Sequence, residues 1–230
     1  MFSLMHYLMN GDYYSAVMFV LSSCFVVFCC LPIHEYAHGL AAYKLGDDTA
    51  KQQGRLTLNP LSHLNVLGTI MIFLFGIGYA NPVPINPYKF KKGKMKNGIA
   101  LTALAGPLSN IIMAGISVSF SYIFMFIGIK AESNVVIEAI ITFFSYAATI
   151  NISLAVFNLL PIPPLDGSRI IGCFLSDKAY YNYMKYERYI MYGLMAVLLL
   201  GFLDRPIAFL SRQLFRLLCI IPEFILNLLV

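Results

Sequence analysis

Apolar residues run along this chain in long blocks, and charged residues collect at the block edges. The first block, Tyr13–Ile33, contains no charge in 21 residues. Roughly 20 apolar residues cover the hydrocarbon core of a bilayer, so each such block predicts a membrane-crossing helix. The first helix is expected to start near Tyr13, pass through His34 and continue to Leu45. A second block, Asn97–Ile129, has 33 residues between Lys96 and Lys130, with room to tilt. A third lies between Glu138 and Asp166. The fourth, Tyr189–Leu203, has 15 residues before Asp204 and spans only if Lys185 and Arg188 snorkel. The last, Pro206–Val230, is interrupted by Arg212, Arg216 and Glu223, which leaves room for a partly interfacial course.

One apolar stretch is too short for a crossing. Leu64–Ala80, "LNVLGTIMIFLFGIGYA", contains Gly68, Gly76 and Gly78 and reads as a re-entrant or strand-forming segment. The expected fold is therefore an all-α polytopic membrane protein with about five transmembrane segments and a short re-entrant or β-forming segment near 64–80. No repeat, low-complexity tract or separate soluble domain is visible.

Composition supports this class. The chain is 59% hydrophobic and 12% charged, with a mean hydropathy of +0.74. Soluble domains are about a quarter charged. The basic residues flank the apolar blocks, so they suit membrane orientation better than a nucleic-acid surface, and no nucleic-acid partner is expected. Lys44, Lys51 and Arg55 precede the 64–80 stretch, while Lys89, Lys91, Lys92, Lys94 and Lys96 follow it. A single crossing could not leave both groups in the cytoplasm, as the positive-inside rule requires. On that rule the N-terminus is outside, and 12 of the 16 basic residues are cytoplasmic. The Lys89–Lys96 cluster reads as an orientation signal first and an anionic-lipid contact second. The Tyr-rich stretch Tyr180–Tyr192 reads as a membrane-interface belt. The start lacks a basic leader region, so no cleaved signal is expected. The five cysteines, Cys24, Cys29, Cys30, Cys173 and Cys219, form no CxxC pair and suggest no disulfide framework.

Against this background "LPIHEYAHGL" stands out, because it places a carboxylate between two imidazoles at the end of a charge-free span. Ionisable groups at membrane depth are costly and mark function by default. His34 and His38 are four residues apart, so on a helix both project from one face and can bind a single tetrahedral Zn²⁺. Glu35 is then placed to act on a water. A bland alternative is a hydrogen-bonded His/Glu cluster between helices. A catalytic zinc site needs a third protein ligand and an open position. "NLLPIPPLDGSR" (Asn158–Arg169) ends the third span, and Asp166 there falls at a similar depth to HEYAH. Its carboxylate can supply the third ligand. Pro161, Pro163 and Pro164 break the helix, which at that depth requires burial in protein or a wet cavity. Cys30 shares the helical face of His34 but reads as a small buried group. His63 is open between a partner of the metal site and an interfacial histidine. Asn110 reads as inter-helix glue.

HEYAH on one span and NLLPIPPLDG on another resemble the two signatures of the site-2 proteases, the intramembrane zinc metalloproteases. "GRLTLNPLSH" (Gly54–His63), "NPVPINP" (Asn81–Pro87) and "AGPLSN" (Ala105–Asn110) add to the resemblance. It runs from about residue 30 to 170, and the last sixty residues match no pattern of that family. The family often carries a PDZ domain; none fits here, so the chain looks like a minimal, PDZ-less member. The resemblance implies a three-helix catalytic core, with residues 1–170 as the metalloprotease core and 171–230 as C-terminal membrane segments. It implies one Zn²⁺ per chain held by His34, His38 and Asp166, with Glu35 as catalytic base and Asn158 stabilising the oxyanion. The implied substrate is a transmembrane protein cut in or near its span, at a cell-membrane site opening toward the cytoplasm. Competing readings are a membrane-anchored zincin that cuts juxtamembrane segments, a metal transporter using the same ligands, and an inactive adaptor. Nothing in the sequence bears on oligomeric state.

Overall fold

The computed structural model describes residues 4–75, 80–92 and 94–229. Among these the chain is helical, with no strand. A short helix α1 (Leu4–Met9) leads into α2 (Tyr13–Leu45). Asp12 starts α2 by accepting a hydrogen bond from the Ser15 amide at 3.0 Å. A π-helical turn, Val26–Cys30, interrupts α2 just before Pro32. Proline lacks an N–H and crowds the carbonyl four residues back, so a widened turn ahead of it lets the helix continue. Helix α3 (Val66–Phe75) follows a loop, and α4 (Met95–Ala131) and α5 (Val135–Asn158) form an antiparallel hairpin. Asn134 caps α5 by accepting from the Val136 and Ile137 amides. Then come α6 (Asp166–Gly172), α7 (Asp177–Lys185), α8 (Glu187–Leu199) and α9 (Asp204–Leu229).

Three of these, α2, α4 and α5, are long and apolar enough to cross a membrane, and the chain is a membrane protein on that basis. The count of about five expected from the sequence depends on α8 and α9. Helix α8 has 13 residues, about 20 Å, which falls short of a core of roughly 30 Å. Helix α9 has the length, with 26 residues, but carries Asp204, Arg205, Arg212, Arg216 and Glu223.

The strand alternative for the 64–80 segment is corrected over Val66–Phe75, which is helix. Asn65 accepts from the Gly68 amide at 3.0 Å, a helix-start signal that the glycine pattern obscured. Residues 76–79 of that segment lie outside the described residues. Its two ends are tied together: Asn65 Nδ2 donates to Asn81 Oδ1 at 3.0 Å, and Asn81 Nδ2 donates to the Leu64 carbonyl at 2.7 Å. The chain thus returns at Asn81 to where it left.

Polar groups on the spanning helices turn inward. Ser22 of α2 donates to the Phe143 carbonyl of α5 at 2.9 Å, and the hydroxyls of Ser121 on α4 and Ser145 on α5 are 3.0 Å apart. Asn151 of α5 donates to the sulfur of Cys30 at 3.4 Å. Around them pack Phe19, Val26, Val27, Ile72 and Leu154, each almost completely buried. Helix α9 lies lengthwise against α4 and α5, with Ile207 near Val156 and Phe157, and Cys219 against Val118 and Ala148.

Candidate metal centre

Helix α2 carries His34 and His38 one turn apart, and Asp166 enters from the first turn of α6. The two Nε2 atoms are 3.1 Å apart, and Asp166 Oδ2 lies 3.5 Å from His34 Nε2 and 3.3 Å from His38 Nε2. A tetrahedral ion with bonds of about 2.0–2.2 Å has ligand–ligand edges of about 3.3–3.6 Å. The three donor atoms therefore already sit at the spacing of three corners of such a site, and the residues fit a metal ion. Among the described residues this is the group of potential ligands close enough to share one ion.

Two glycines make this approach possible. Gly106 of α4 faces the histidines, and a Cβ there would lie 2.6 Å from His34 Nε2 and closer still to His38 Nε2. Only a bare backbone lets α4 come this near. Gly167, next to Asp166, packs so tightly on the Leu159 and Leu160 carbonyls that a side chain would strike them. This contact seats the start of α6 on the chain leaving α5 and sets where Asp166 points.

The outer partners orient the rings. His38 Nδ1 is 2.7 Å from the Thr102 carbonyl, which can only accept, so Nδ1 carries the proton and the neutral ring presents the Nε2 lone pair to the site.

Glu35 is buried beside the histidines. Its Oε2 accepts from the Val83 amide at 3.0 Å, and Oε1 has no hydrogen-bond partner among the described residues. Val83 sits between Pro82 and Pro84, which have no N–H to offer. The segment is held at its flanks: Arg55 donates to the Asn81 and Pro82 carbonyls at 2.9 and 3.3 Å, and buried Asp47 accepts from the Asn86 amide at 2.6 Å. Sequence reasoning missed Val83, Thr102, Arg55 and Asp47. A lone N–H flanked by prolines was the one available signal.

His34, His38, Asp166, Glu35, Val83 and Thr102 line a cavity of about 860 Å³ whose walls are mostly apolar. Leu67, Met71 and Val83 form one side, and Leu194, Met195 and Leu198 of α8 form another. Asn158 also lines it; one Nδ2 hydrogen bonds the Leu154 carbonyl of its own helix at 3.0 Å, and an amide nitrogen carries two hydrogens.

The other residues singled out from sequence fall elsewhere. Cys30 is fully buried against Asn151 and is not among the clustered ligands. His63 is buried too, with Nε2 2.8 Å from the Thr57 carbonyl, inside its own loop. Asn110 is fully buried on α4, but neither its Nδ2 nor its Oδ1 meets a partner among the described residues. The inter-helix bonds expected of it are made by Asn151 and the serines. In the lysine cluster, Lys89 pairs with Asp48 at 2.7 Å, and Lys96 donates to the Leu175 carbonyl at 2.8 Å.

Comparison with known proteins adds an independent line. The sequence pattern of Peptidase family M50 matches residues 62–201, more than half of the chain. The match includes Asn158 and Asp166, starts after HEYAH, and extends some thirty residues beyond the expected limit near 170. Several relatives bear the name Putative zinc metalloprotease, among them the following three. YwhC of Bacillus subtilis is 47% identical over 143 residues, covering 60% of this chain and 62% of that protein. MJ0611 of Methanocaldococcus jannaschii is 33% identical over 138 residues, 60% and 62% of the two chains. Rip2 of Mycolicibacterium smegmatis is 29% identical over 142 residues, 60% and 51%. The matched region thus spans about half to three-fifths of these relatives' own length. No solved structure matches.

Proposed function

The chain belongs to Peptidase family M50, and from that premise we propose that it is an intramembrane zinc metalloprotease that hydrolyses peptide bonds within or near the spans of other membrane proteins. One observation carries the reading: three donor atoms of His34, His38 and Asp166 at tetrahedral spacing, with Glu35 buried beside them on the wall of an apolar cavity. A structural cluster or a transport site needs the ligands but has no use for a base at their side.

His34, His38 and Asp166 would hold one zinc ion per chain. When bound, zinc supplies a Lewis acid that makes a water nucleophilic near neutral pH and polarises the scissile carbonyl. Glu35, fixed through Oε2 by the Val83 amide, takes the water's proton at Oε1 and delivers it to the leaving amine. Asn158 turns its second N–H to the oxygen of the substrate carbonyl as negative charge develops there. The Thr102 carbonyl keeps His38 in the tautomer that this arrangement needs.

The apolar walls suit a hydrophobic stretch of chain, and their size suits one that is locally unwound, since a helical peptide bond is shielded by its own hydrogen bonds. The tied ends of the 64–81 excursion support a re-entrant course. The lysines on both sides of it support a cytoplasmic opening. Residues 1–170 then form the catalytic core in a cell membrane, and 171–230 add membrane segments that wall the cavity.

The test is cleavage of a model transmembrane substrate in proteoliposomes, wild type beside Glu35→Gln, with zinc measured in both. The expected outcome is equal zinc, cuts mapped within the hydrophobic span for wild type, and a fall of about 10²–10⁴-fold for the variant. Cuts confined to segments outside the span would favour a juxtamembrane protease. Equal zinc with no cleavage by either protein would favour metal transport.

A further inference from the structure

The cavity beside the metal centre holds two charges that the proposed chemistry does not use. Arg169 of α6 and Glu187 of α8 both line it, and both are half-buried. Arg169 follows Asp166 by three residues, so the two share one face of α6, about 4.5 Å apart along its axis. Glu187, Met191, Leu194 and Leu198 recur at helical spacing as one stripe of α8, and all four line the cavity. Leu194 belongs to the same packed cluster as Phe157 and Leu165, so that stripe is seated against the chain that leads to Asp166.

Neither charge is answered within the chain. The ion pairs among the described residues join His34 and His38 to Asp166, and Lys89 to Asp48; none includes Arg169 or Glu187. Neither side chain makes a hydrogen bond to another described residue. Asp166 turns its Oδ2 to the two histidines, and Glu187 is not within ion-pair reach of Arg169. Among the described residues that line the cavity, Arg169 is the one lysine or arginine. A guanidinium offers five N–H donors in a planar fork, and a carboxylate is the acceptor that matches it through two parallel bonds. On this mostly apolar wall, that acceptor is left for a ligand to supply.

We propose that Arg169 selects what this enzyme cuts, by binding an Asp or Glu side chain of the substrate within about three residues of the scissile bond. The inference rests on the metalloprotease reading for where that bond lies. One helical turn separates Arg169 from a metal ligand, and an extended peptide advances about 3.3 Å per residue, so an acid much farther along would pass the guanidinium by. A bond cut inside a span is far from either chain end, so the carboxylate is a side chain and not a terminus. The favoured segment is therefore an apolar stretch with one acid close to the cut.

The test uses the full chain in phosphatidylcholine vesicles and a labelled Leu/Ala transmembrane helix. Glu is placed in turn at each position across the cut site, and each Glu helix has a Gln twin. Binding to the Glu35→Gln chain is read by energy transfer, cleavage by the wild type is read from mapped fragments, and zinc content verifies that each variant is folded. At the best position the Glu helix is expected to bind and be cut about tenfold better than its twin, the scale of a charge-assisted hydrogen bond at a half-buried site. Arg169→Gln should bring that ratio to about one, Arg169→Lys should keep part of it, and Arg169→Glu should favour a Lys helix instead. Arg188→Gln, an exposed change on α8 outside the cavity lining, should leave the ratio as it is. A ratio near one at every position overturns the proposal, as does a ratio that survives Arg169→Gln. A loss in Arg169→Gln shared equally by the Glu and Gln helices also overturns it, by making Arg169 a structural prop or a clamp on backbone carbonyls. Binding is read in a chain that does not cut, so a wild type that cleaves no helix counts against the protease reading, while the binding ratio still decides the role of Arg169.

Discussion

The two halves of this molecule treat polar side chains in opposite ways. In the α2–α4–α5–α6 region, histidines, carboxylates, serines and asparagines point inward, and most find a partner. On α9 the arginines point outward. The inward groups are held by packing and converge on one point, so their geometry is set before a substrate arrives. The outward groups stay apart along one line of α9, and Arg212 turns back on its own helix, its Nε donating to the Ala208 carbonyl at 3.1 Å. Inward polarity in a membrane protein therefore points to chemistry or cohesion.

The largest expected effect that sharpens the contrast comes at Asn158. If its second N–H serves developing charge, Asn158→Ala should lower kcat about 10²–10³-fold with little change in KM and with zinc content unchanged. Asn158→Asp, which keeps the size but loses both donors, should be no better. Rates near wild type in either would leave Asn158 a helix-terminal residue bonded to Leu154 and nothing more.

A somewhat smaller loss is expected at Gly106. In a helix Ala is favoured over Gly by up to about 1 kcal/mol, so Gly106→Ala should, on propensity alone, stabilise α4. The atoms nearest the new methyl belong to the His38 and His34 rings, both Nε2 atoms among them. A displacement of about 1 Å at such a site can cost about 10²-fold. Helicity should hold or rise while zinc per chain and cleavage rate fall together. Full zinc and full rate in Gly106→Ala would mean α4 can recede, and that close approach is not what holds the site.

Much of the site was legible because its parts are local motifs. HEYAH sets His34 and His38 by helical periodicity alone, and LDG follows a proline break that has to be buried. The three long spans were legible for the same reason, since charge-free length is a local property. What stayed hidden depends on contacts between distant residues. Val83 meets Glu35 across 48 positions and Thr102 meets His38 across 64. No spacing rule connects either pair. Gly106 sits in an AGP stretch that reads as a plain helix until the partner helix is in place. The strand alternative for Val66–Phe75 failed for a different reason: three glycines outweighed the Asn65 cap that starts the helix. Asn110 shows a limit of the glue argument, since a buried amide on a spanning helix does not by itself find a mate.

The smallest expected effect probes cohesion in the core. Ser22 has one O–H, shared between the Met18 carbonyl of its own helix at 2.8 Å and the Phe143 carbonyl at 2.9 Å, so the contact to α5 is an alternative and not a rescue. Inter-helix hydrogen bonds in membranes average about 0.6 kcal/mol because the separated helices find partners too. Ser22→Ala should therefore shift the unfolding midpoint in detergent slightly, leaving zinc and cleavage as they are. The small value follows from the geometry: removing Ser22 strands no donor, and the Phe143 carbonyl keeps its place in the α5 ladder. A loss of several kcal/mol would show that α2 and α5 are joined by few interactions, each indispensable.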